Sequence, residues 1–331
     1  MSVPTIAVIR GDGIGLEVID AALQVLEAVS FEAKYVDAEA GYTCFQRHGT
    51  PLPEQTLEVV KQSDAILFGE ITTPPDAKNY PSVIIQLRKS LDLFANLRPS
   101  RTYPGIGRYS DEGVDVLVIR ENTEGLYVQE GAREGSQAYN ILRRTENACR
   151  RIVHFACQQA EIRHRKLAVA HKANVVKPAD ELWIEVAHEV IKDHNLDVSF
   201  EIVDALCTKL IMNPSHFDVI VAPNFYGDIL SDLMAGIVGS LGLCASANIG
   251  ESYALFEPVH GSAPDIAGQG IANPLAAILS AALMLCHLGE PQKAEAIEFA
   301  VTRLLQGNIK TPELGGTAST VEVTQALIDL I

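Results

Sequence analysis

Two aspartates, Asp228 and Asp232, stand four residues apart in Asn224-Phe225-Tyr226-Gly227-Asp228-Ile229-Leu230-Ser231-Asp232, at the opening of a predicted helix. That spacing puts both carboxylates on one helical face. Like charges so placed repel, and a hard divalent cation such as Mg²⁺ or Mn²⁺ turns the repulsion into ligation. The competing reading is that they are acids near a first turn, offsetting the helix dipole. Arginines offer the complementary charge: Arg88 in Leu87-Arg88-Lys89-Ser90, Arg98 in Asn96-Leu97-Arg98-Pro99, and Arg120 at the end of the apolar run Val114–Ile119. Planar guanidinium forks match carboxylates. A charge that ends a buried strand lies where open α/β sheets put their ligands, which singles out Arg120; taken one at a time, each arginine also fits a solvated surface charge. Lys172 and Asn174 follow the apolar run Leu167–Ala170. A lysine at such a strand end is fitted for proton transfer when burial disfavours its charged form, and otherwise snorkels to water.

Two glycine-bearing segments suggest ligand approach. Gly11-Asp12-Gly13-Ile14-Gly15 lies between a predicted strand and helix, but a G-x-G-x-x-G fingerprint would need glycine where Leu16 stands. What remains is a tight turn whose glycines permit positive φ. The stretch from Glu257 to Pro274 holds His260-Gly261-Ser262-Ala263-Pro264-Asp265 and ends Asn273-Pro274, a helix cap and first position. No Lys or Arg occurs between Glu257 and Asn273, so nothing there would bind a 2′-phosphate, whereas Asp265 is able to accept from a ribose diol. A nucleotide bound here fits NAD better than NADP.

The elements that must position these groups alternate. Short apolar runs predict strands at Thr5–Arg10, Ala33–Asp37, Ala65–Gly69, Val114–Arg120, Lys166–His171, Val198–Val203, Asp218–Pro223 and Tyr253–Glu257. Helical periodicity predicts Gly15–Val29, Pro53–Gln62, Val83–Phe94, Ile141–Glu161, Ala179–His194, Ile229–Val238, Leu275–Leu288, Pro291–Leu305 and Ser319–Leu330. Such alternation implies an α/β protein with parallel pairing. Periodicity is weakest from Val128 to Asn140, which reads either as a projecting arm that reaches a partner subunit or as a solvated connection.

Composition narrows the function. The chain has 331 residues, 26 Lys+Arg against 42 Asp+Glu, and a formal charge of −16. That balance argues against a nucleic-acid partner and means that an acidic substrate must be captured by arginines concentrated in one cleft. The length suggests two domains or lobes. At 47% hydrophobic and 21% charged, the composition is that of a globular chain. Six scattered cysteines form neither C-x-x-C nor a zinc spacing, and Met1-Ser2-Val3-Pro4-Thr5 shows no secretory pattern, so a reducing, cytoplasmic setting is expected. The uncharged stretch Leu233–Gly250 is too rich in glycine to read as a membrane span, and a buried segment is expected.

Taken together, these segments resemble the β-decarboxylating dehydrogenases that act on isocitrate, homoisocitrate and 3-isopropylmalate. Asn224–Gly242 (NFYGDILSDLMAGIVGSLG) is similar to the family signature and HGSAPDIAGQGIANP to its NAD loop. The resemblance implies an α/β, isocitrate/isopropylmalate dehydrogenase-like two-domain fold with a doubly wound mixed sheet, not a Rossmann fold. A large NAD-binding domain would comprise residues 1–98 and 252–331, and a small dimerisation domain 99–251 with its arm near 128–140. It implies a homodimer with shared active sites, or a tetramer built from it. Arg88, Arg98, Arg120, Tyr127, Asp228 and Asp232 would come from one chain, and Lys172, Asn174 and Asp204 from the other. Asp204, Asp228 and Asp232 would hold Mg²⁺ or Mn²⁺. Ser82, the arginines and Asn174 would bind substrate, and Tyr127 and Lys172 would move protons. Thr72 and Thr73 would line the nicotinamide side, with Glu257, His260, Gly261, Ser262, Ala263, Asp265 and Asn273 completing the NAD site. Glu70 stands where the family often has a small residue, which leaves its role open.

Arg120-Glu121-Asn122-Thr123-Glu124-Gly125-Leu126-Tyr127 is similar to the isocitrate and homoisocitrate branches. Ile84 replaces the asparagine of the S-x-N that isocitrate enzymes carry, and Ile84 and Ile85 suit a longer or less polar γ-substituent. Homoisocitrate, on the way to 2-oxoadipate and lysine synthesis, is the best joint fit, with isocitrate and 3-isopropylmalate as alternatives. A non-catalytic regulatory subunit of such an enzyme is the reading from another class; it would be expected to lose catalytic or metal residues, and here they all stand.

Overall fold

The computed structural model describes residues 3–74 and 80–331; Met1 and Ser2 of the N-terminal stretch considered above lie outside them. The strands are β1 (Thr5–Ile9), β2 (Lys34–Asp37), β3 (Ala65–Phe68), β4 (Ala95–Arg101), β5 (Asp115–Glu121), β6 (Gly131–Glu134), β7 (Gln137–Asn140), β8 (Lys166–His171), β9 (Asp197–Ile202), β10 (Val219–Ala222), β11 (Ala245–Ile249) and β12 (Ala254–Pro258). The helices are α1 (Gly15–Ala28), α2 (Tyr42–His48), α3 (Glu54–Lys61), α4 (Val83–Ser90), α5 (Glu146–Ile162), α6 (Ala179–Ile191), α7 (Val203–Met212), α8 (Asn224–Val238), α9 (Leu275–His287), α10 (Pro291–Gln306) and α11 (Thr320–Ile328).

Side chains on a strand point alternately to opposite faces, and here both faces are apolar. In β1, Ile6 and Val8 enter one core while Ala7 and Ile9 enter another; β3 divides Ala65 and Leu67 from Ile66 and Phe68 in the same way. In β8 and β10, Leu167, Val169, Val219 and Val221 face one core and Ala168, Ala170, Ile220 and Ala222 the other. A sheet so patterned needs helices on both sides. The first block is covered by α1, α9, α10 and α11 on one face, and the second by α5 and α6 on one face with α7 and α8 on the other. Helix α9, apolar nearly all round, is buried along most of its length, as an element enclosed by others must be.

One sheet of ten strands runs in the order β2-β1-β3-β12-β11-β4-β5-β10-β8-β9. Pairing is parallel within β2-β1-β3-β12 and within β5-β10-β8-β9, and antiparallel where β11 and β4 join the blocks. The two blocks therefore run in opposite directions, and the carboxyl end of β5 lies beside the amino end of β4, with Arg120 opposite Asn96. The doubly wound mixed sheet expected from the resemblance is what the chain forms.

Several elements depart from the sequence reading. Strands β4 and β11 were not expected, because their inward residues are polar: Asn96, Ser100, Ser246 and Asn248 are all buried. Helices α2 and α7 were not expected either; α2 is seven residues long, and α7 starts at Val203, the residue read as the end of a strand. Helix α8 begins at Asn224 instead of Ile229, so Asp228 is its fifth residue and no acid occupies its first turn. The helix-dipole reading of the aspartate pair fails on this ground, since that effect fades within the first turn. The segment from Val128 to Asn140 contains an exposed antiparallel hairpin, β6-β7. All six cysteines are free, and among the described residues no helix is long and apolar enough to cross a membrane.

Candidate active site

Arg88, Arg98 and Arg120 reach one place from α4, β4 and β5, and each is more than nine-tenths buried. Arg88 donates from Nε to Asn248 Oδ1 (3.0 Å) and from Nη2 to Glu257 Oε1 (3.3 Å). Arg98 donates from Nη1 to Ser231 Oγ (2.7 Å), Asp228 Oδ1 (3.2 Å) and Asp232 Oδ1 (3.5 Å). Arg120 donates to Asn224 Oδ1 (3.0 Å) and to Asp228 Oδ1, and its guanidinium lies 4.8 Å over the Tyr127 ring. It passes there because residue 227 is glycine: a Cβ would come within 2.7 Å of Arg120 Cβ. The Nη2 of Arg120 is buried without a partner, so one guanidinium edge remains for a carboxylate. Burial, then the charges of Arg88 and Arg98, pull Arg120 down to about 10.

The same crowding orders the carboxylates. Burial works to raise Asp228, but Arg120, the Tyr127 hydroxyl, Arg98 and Arg88 outweigh it and hold it low. Asp232, one turn further along α8, is raised by burial, with Arg98 opposing and Asp228 adding to the rise. Tyr127 donates its hydroxyl to Asp228 Oδ2, and burial in the first place keeps that hydroxyl protonated. Hard carboxylates one turn apart suit Mg²⁺ or Mn²⁺. Asp204 does not join them in one chain: Lys172 Nζ donates to its Oδ1, which helps hold Asp204 low, and the three aspartates form no cluster among the described residues. Asn174 is exposed in the turn after β8. Ser82 precedes α4 without capping it through its side chain.

The glycine turn and the two loop motifs converge. Gly11 and Gly13 have φ of 72° and 59°, and a Cβ on Gly13 would meet the Ser262 carbonyl oxygen at 2.0 Å. The glycines are therefore required by the close packing of this turn on the Glu70 and Ser262 backbone. Asp12 accepts from the Thr72 N–H at 3.1 Å, and the Thr72 and Ser262 hydroxyls are 2.7 Å apart. Beside them is a cavity of about 560 Å³ lined by Ile14, His260, Ala263, Ile271, Asn273 and Glu313. That is a size for a small ligand. His260 Nδ1 donates to the Gly261 carbonyl (3.1 Å), and burial lowers its affinity for a second proton. His260 Nε2 and Asn273 Nδ2 are left buried and unpartnered, an acceptor and a donor that fit a nucleotide base. Among the described residues, no Lys or Arg lines the cavity. Asp265 is exposed, and its backbone carbonyl accepts from Gln269.

Residues 5–331 match the isocitrate/isopropylmalate dehydrogenase family. The chain belongs to this family. It is 49% identical to the isocitrate/homoisocitrate dehydrogenase of Thermus thermophilus over 98% of each chain. It is 46% identical to the 3-isopropylmalate dehydrogenase of Methanothermobacter thermautotrophicus, over 96% of this chain and 95% of that one. The isocitrate dehydrogenase of Methylococcus capsulatus superposes with a TM-score of 0.95 at 39% identity, over 99% of each chain.

Within this family fold, several supporting residues escaped the sequence reading. Asn96, Asn122 and Asn248 form a buried amide network behind Arg88 and Arg98, and Glu257, expected at the cofactor, is buried with its carboxylate on Arg88 and Asn248. Glu70 is buried near Glu257 with Oε1 unpartnered; burial first, then Glu257, push its carboxyl well above the usual range against the pull of Arg98. Behind Lys172, the buried Asp180 accepts its backbone N–H (2.5 Å) and pairs with Arg144 (2.7 Å). Asp180 is an acid in the first turn of α6, and nothing in the local pattern around it or Arg144 marks the pair.

Proposed function

We propose that this chain catalyses the NAD-dependent oxidative β-decarboxylation of a 2-hydroxy di- or tricarboxylate, homoisocitrate first among them, as a homodimer with shared active sites. The observation that supports this reading most directly is the pairing of Arg98 and Arg120 with Asp228 and of Arg98 with Asp232, beside an Arg88 whose charge also bears on Asp228, with one Arg120 edge unpaired. An anionic protein captures an anionic substrate only where such cations are gathered. When bound at Asp228 and Asp232, a divalent cation supplies Lewis acidity at the substrate hydroxyl and carbonyl oxygens, and NAD⁺ in the Thr72–Ser262–His260 region supplies the hydride acceptor.

The chain's own groups do the rest. The arginines hold the carboxylates in register and aim the C–H bond at the acceptor. Lys172 removes the hydroxyl proton as hydride leaves carbon, giving a 2-oxo acid with a carboxylate β to its ketone. Loss of CO₂ leaves the electron pair on carbon as an enolate, and Tyr127 returns a proton to that carbon. Its hydroxyl is placed for this role beside the arginines, where it donates to Asp228.

Support for a second chain comes from what one chain leaves apart. Lys172 and Asp204 pair with each other and not with the arginine-lined group, and the exposed hairpin β6-β7 carries the exposed Tyr139, with Ile141 just beyond it. The partner would supply Lys172, Asn174 and Asp204. Homoisocitrate is favoured because Ile84 lies one turn before Arg88 on α4 and shares its face, offering methyl groups where a shorter γ-carboxylate would want a polar contact. The deciding experiment is initial-rate NADH formation with Mg²⁺ and, separately, homoisocitrate, isocitrate, 3-isopropylmalate and D-malate, repeated with NADP⁺ on the best. The expected result is the highest kcat/KM with homoisocitrate and NAD⁺. Preference for isocitrate or 3-isopropylmalate would keep the chemistry and discard the isoleucine argument, and no turnover would favour a non-catalytic subunit.

A further inference from the structure

Among the described residues, one set of metal-ligating side chains gathers outside the arginine-lined site: Glu39, Cys44 and His48, whose ligand atoms all lie within 4.8 Å of one another. Cys44 and His48 are four residues apart on α2 and so share a face, and Glu39 meets them from the segment that joins β2 to α2. The backbone beneath them is well fixed. Asp12 accepts from the N–H groups of Tyr42 (2.6 Å) and Thr43 (3.0 Å), holding the start of α2, and Gly49 ends it with φ of 73°. The Thr56 hydroxyl donates to the Glu39 carbonyl at 2.7 Å. His48 Nε2 lies 3.3 Å from Glu39 Oε2, and Arg47 lies 3.7 Å from Oε1. Cys44 is buried under an exposed Glu39 and His48, beside a cavity of about 410 Å³ whose walls include Glu39, His48, Pro53 and Thr56.

We propose that Glu39, Cys44 and His48 form a binding site for a thiophilic divalent cation of the Zn²⁺ class, separate from the hard carboxylates Asp228 and Asp232. A thiolate and an imidazole select borderline and soft cations over Mg²⁺, and a single carboxylate completes a mixed set of three ligands with solvent water as the fourth. Bonds of about 2.0–2.3 Å in a tetrahedron bring ligand atoms to about 3.5 Å from one another. The present spacing, within 4.8 Å, must tighten to reach that, and the two ligands that have to move, Glu39 and His48, are the exposed ones. On binding, the Cys44 thiol releases its proton to solvent, and the cation replaces the contact between His48 and Glu39. Because the three ligands tie α2 to the end of β2, binding stabilises the folded chain by mass action.

The test titrates the full protein with Cd²⁺ and Co²⁺, with Mg²⁺ in excess to occupy carboxylate sites, and reads the thiolate-to-metal charge-transfer band that no carboxylate site produces. The expected result is a saturable band in the wild type that Cys44→Ser abolishes. His48→Gln should weaken it at least about tenfold. Cys286→Ser, which removes the exposed cysteine, should leave it unchanged. Cation binding should also raise the melting temperature of the wild type more than that of His48→Gln. No band in the wild type, a band retained by Cys44→Ser, or equal affinity in His48→Gln would overturn the proposal. Should Cys44→Ser fail to fold, the exposed His48 variant decides by itself.

Discussion

Arg120 is 2% exposed and held by Asn224 and Asp228 of α8 with the Tyr127 ring under its guanidinium, whereas the Lys172 side chain is 23% exposed and that of its partner Asp204 68%. The two regions stand on the same sheet, yet they are ordered differently. In the arginine-lined region most polar atoms of the guanidiniums and the amides behind them are satisfied within the chain, with Arg120 Nη2 and Asn122 Oδ1 left over, because an unpaired charge in a buried place costs several kcal/mol. Around Lys172 the backbone is fixed while the side chain reaches only Asp204: Asp180 accepts the Lys172 N–H, Arg144 pairs with Asp180, and Trp183 Nε1 donates to the Ala170 carbonyl (3.0 Å). The lysine side chain itself lies at the surface, where a mismatch is screened by water.

This contrast separates activity from stability and is open to attack on both counts. The largest effect is expected from Lys172→Met, which should lower turnover by about 10³ or more. It should leave the urea midpoint and NADH binding unchanged, and a large loss of stability would break the comparison. Next come Asp228→Asn and Asp204→Asn, both expected to lose most metal-dependent turnover. Chemical denaturation should distinguish them. Asp228→Asn leaves Arg120 short of its counter-charge and should cost ~2 kcal/mol, below the range for a fully buried pair because Asp228 is itself partly solvated. Asp204→Asn should leave the midpoint where it was.

A smaller effect concerns Glu70, in the floor of the buried region. Its carboxyl titrates higher in the folded chain than in the unfolded one, so its contribution is fully present below the ordinary carboxylate range and is lost as pH rises through the folded value. Glutamine has no such loss. Glu70→Gln should therefore raise the melting temperature more at about pH 8.5 than at about pH 5, and an equal shift at both would show that Glu70 folds without this penalty. The smallest effect is expected at the exposed Asp265: Asp265→Ala should raise the KM for NAD⁺ by ~3–10-fold, as the loss of one hydrogen bond does, with little change in that for the acid substrate.

How legible the molecule was depended on whether a residue's neighbours lie close in sequence. Strands β1, β3, β8 and β10 were visible because both of their faces are apolar. Strands β4 and β11 were not, since Asn96, Arg98, Ser246 and Asn248 look like surface residues until they satisfy one another across the sheet. The same limit hid Asp180 and Arg144, which meet across 36 residues.

The sequence by itself determined the α/β alternation, the residue types of the site and, through its motifs, the family. Helical period and strand alternation are local, and so is the one-face spacing of Asp228 and Asp232 along α8. Only the tertiary structure decided that Asp228 lies past the first turn, that three arginines surround it, and that Lys172 and Asp204 stand apart from it paired with each other. Those facts rest on contacts between strands distant along the chain, where charge, burial and the room left by Gly227 act together, and no local pattern records them.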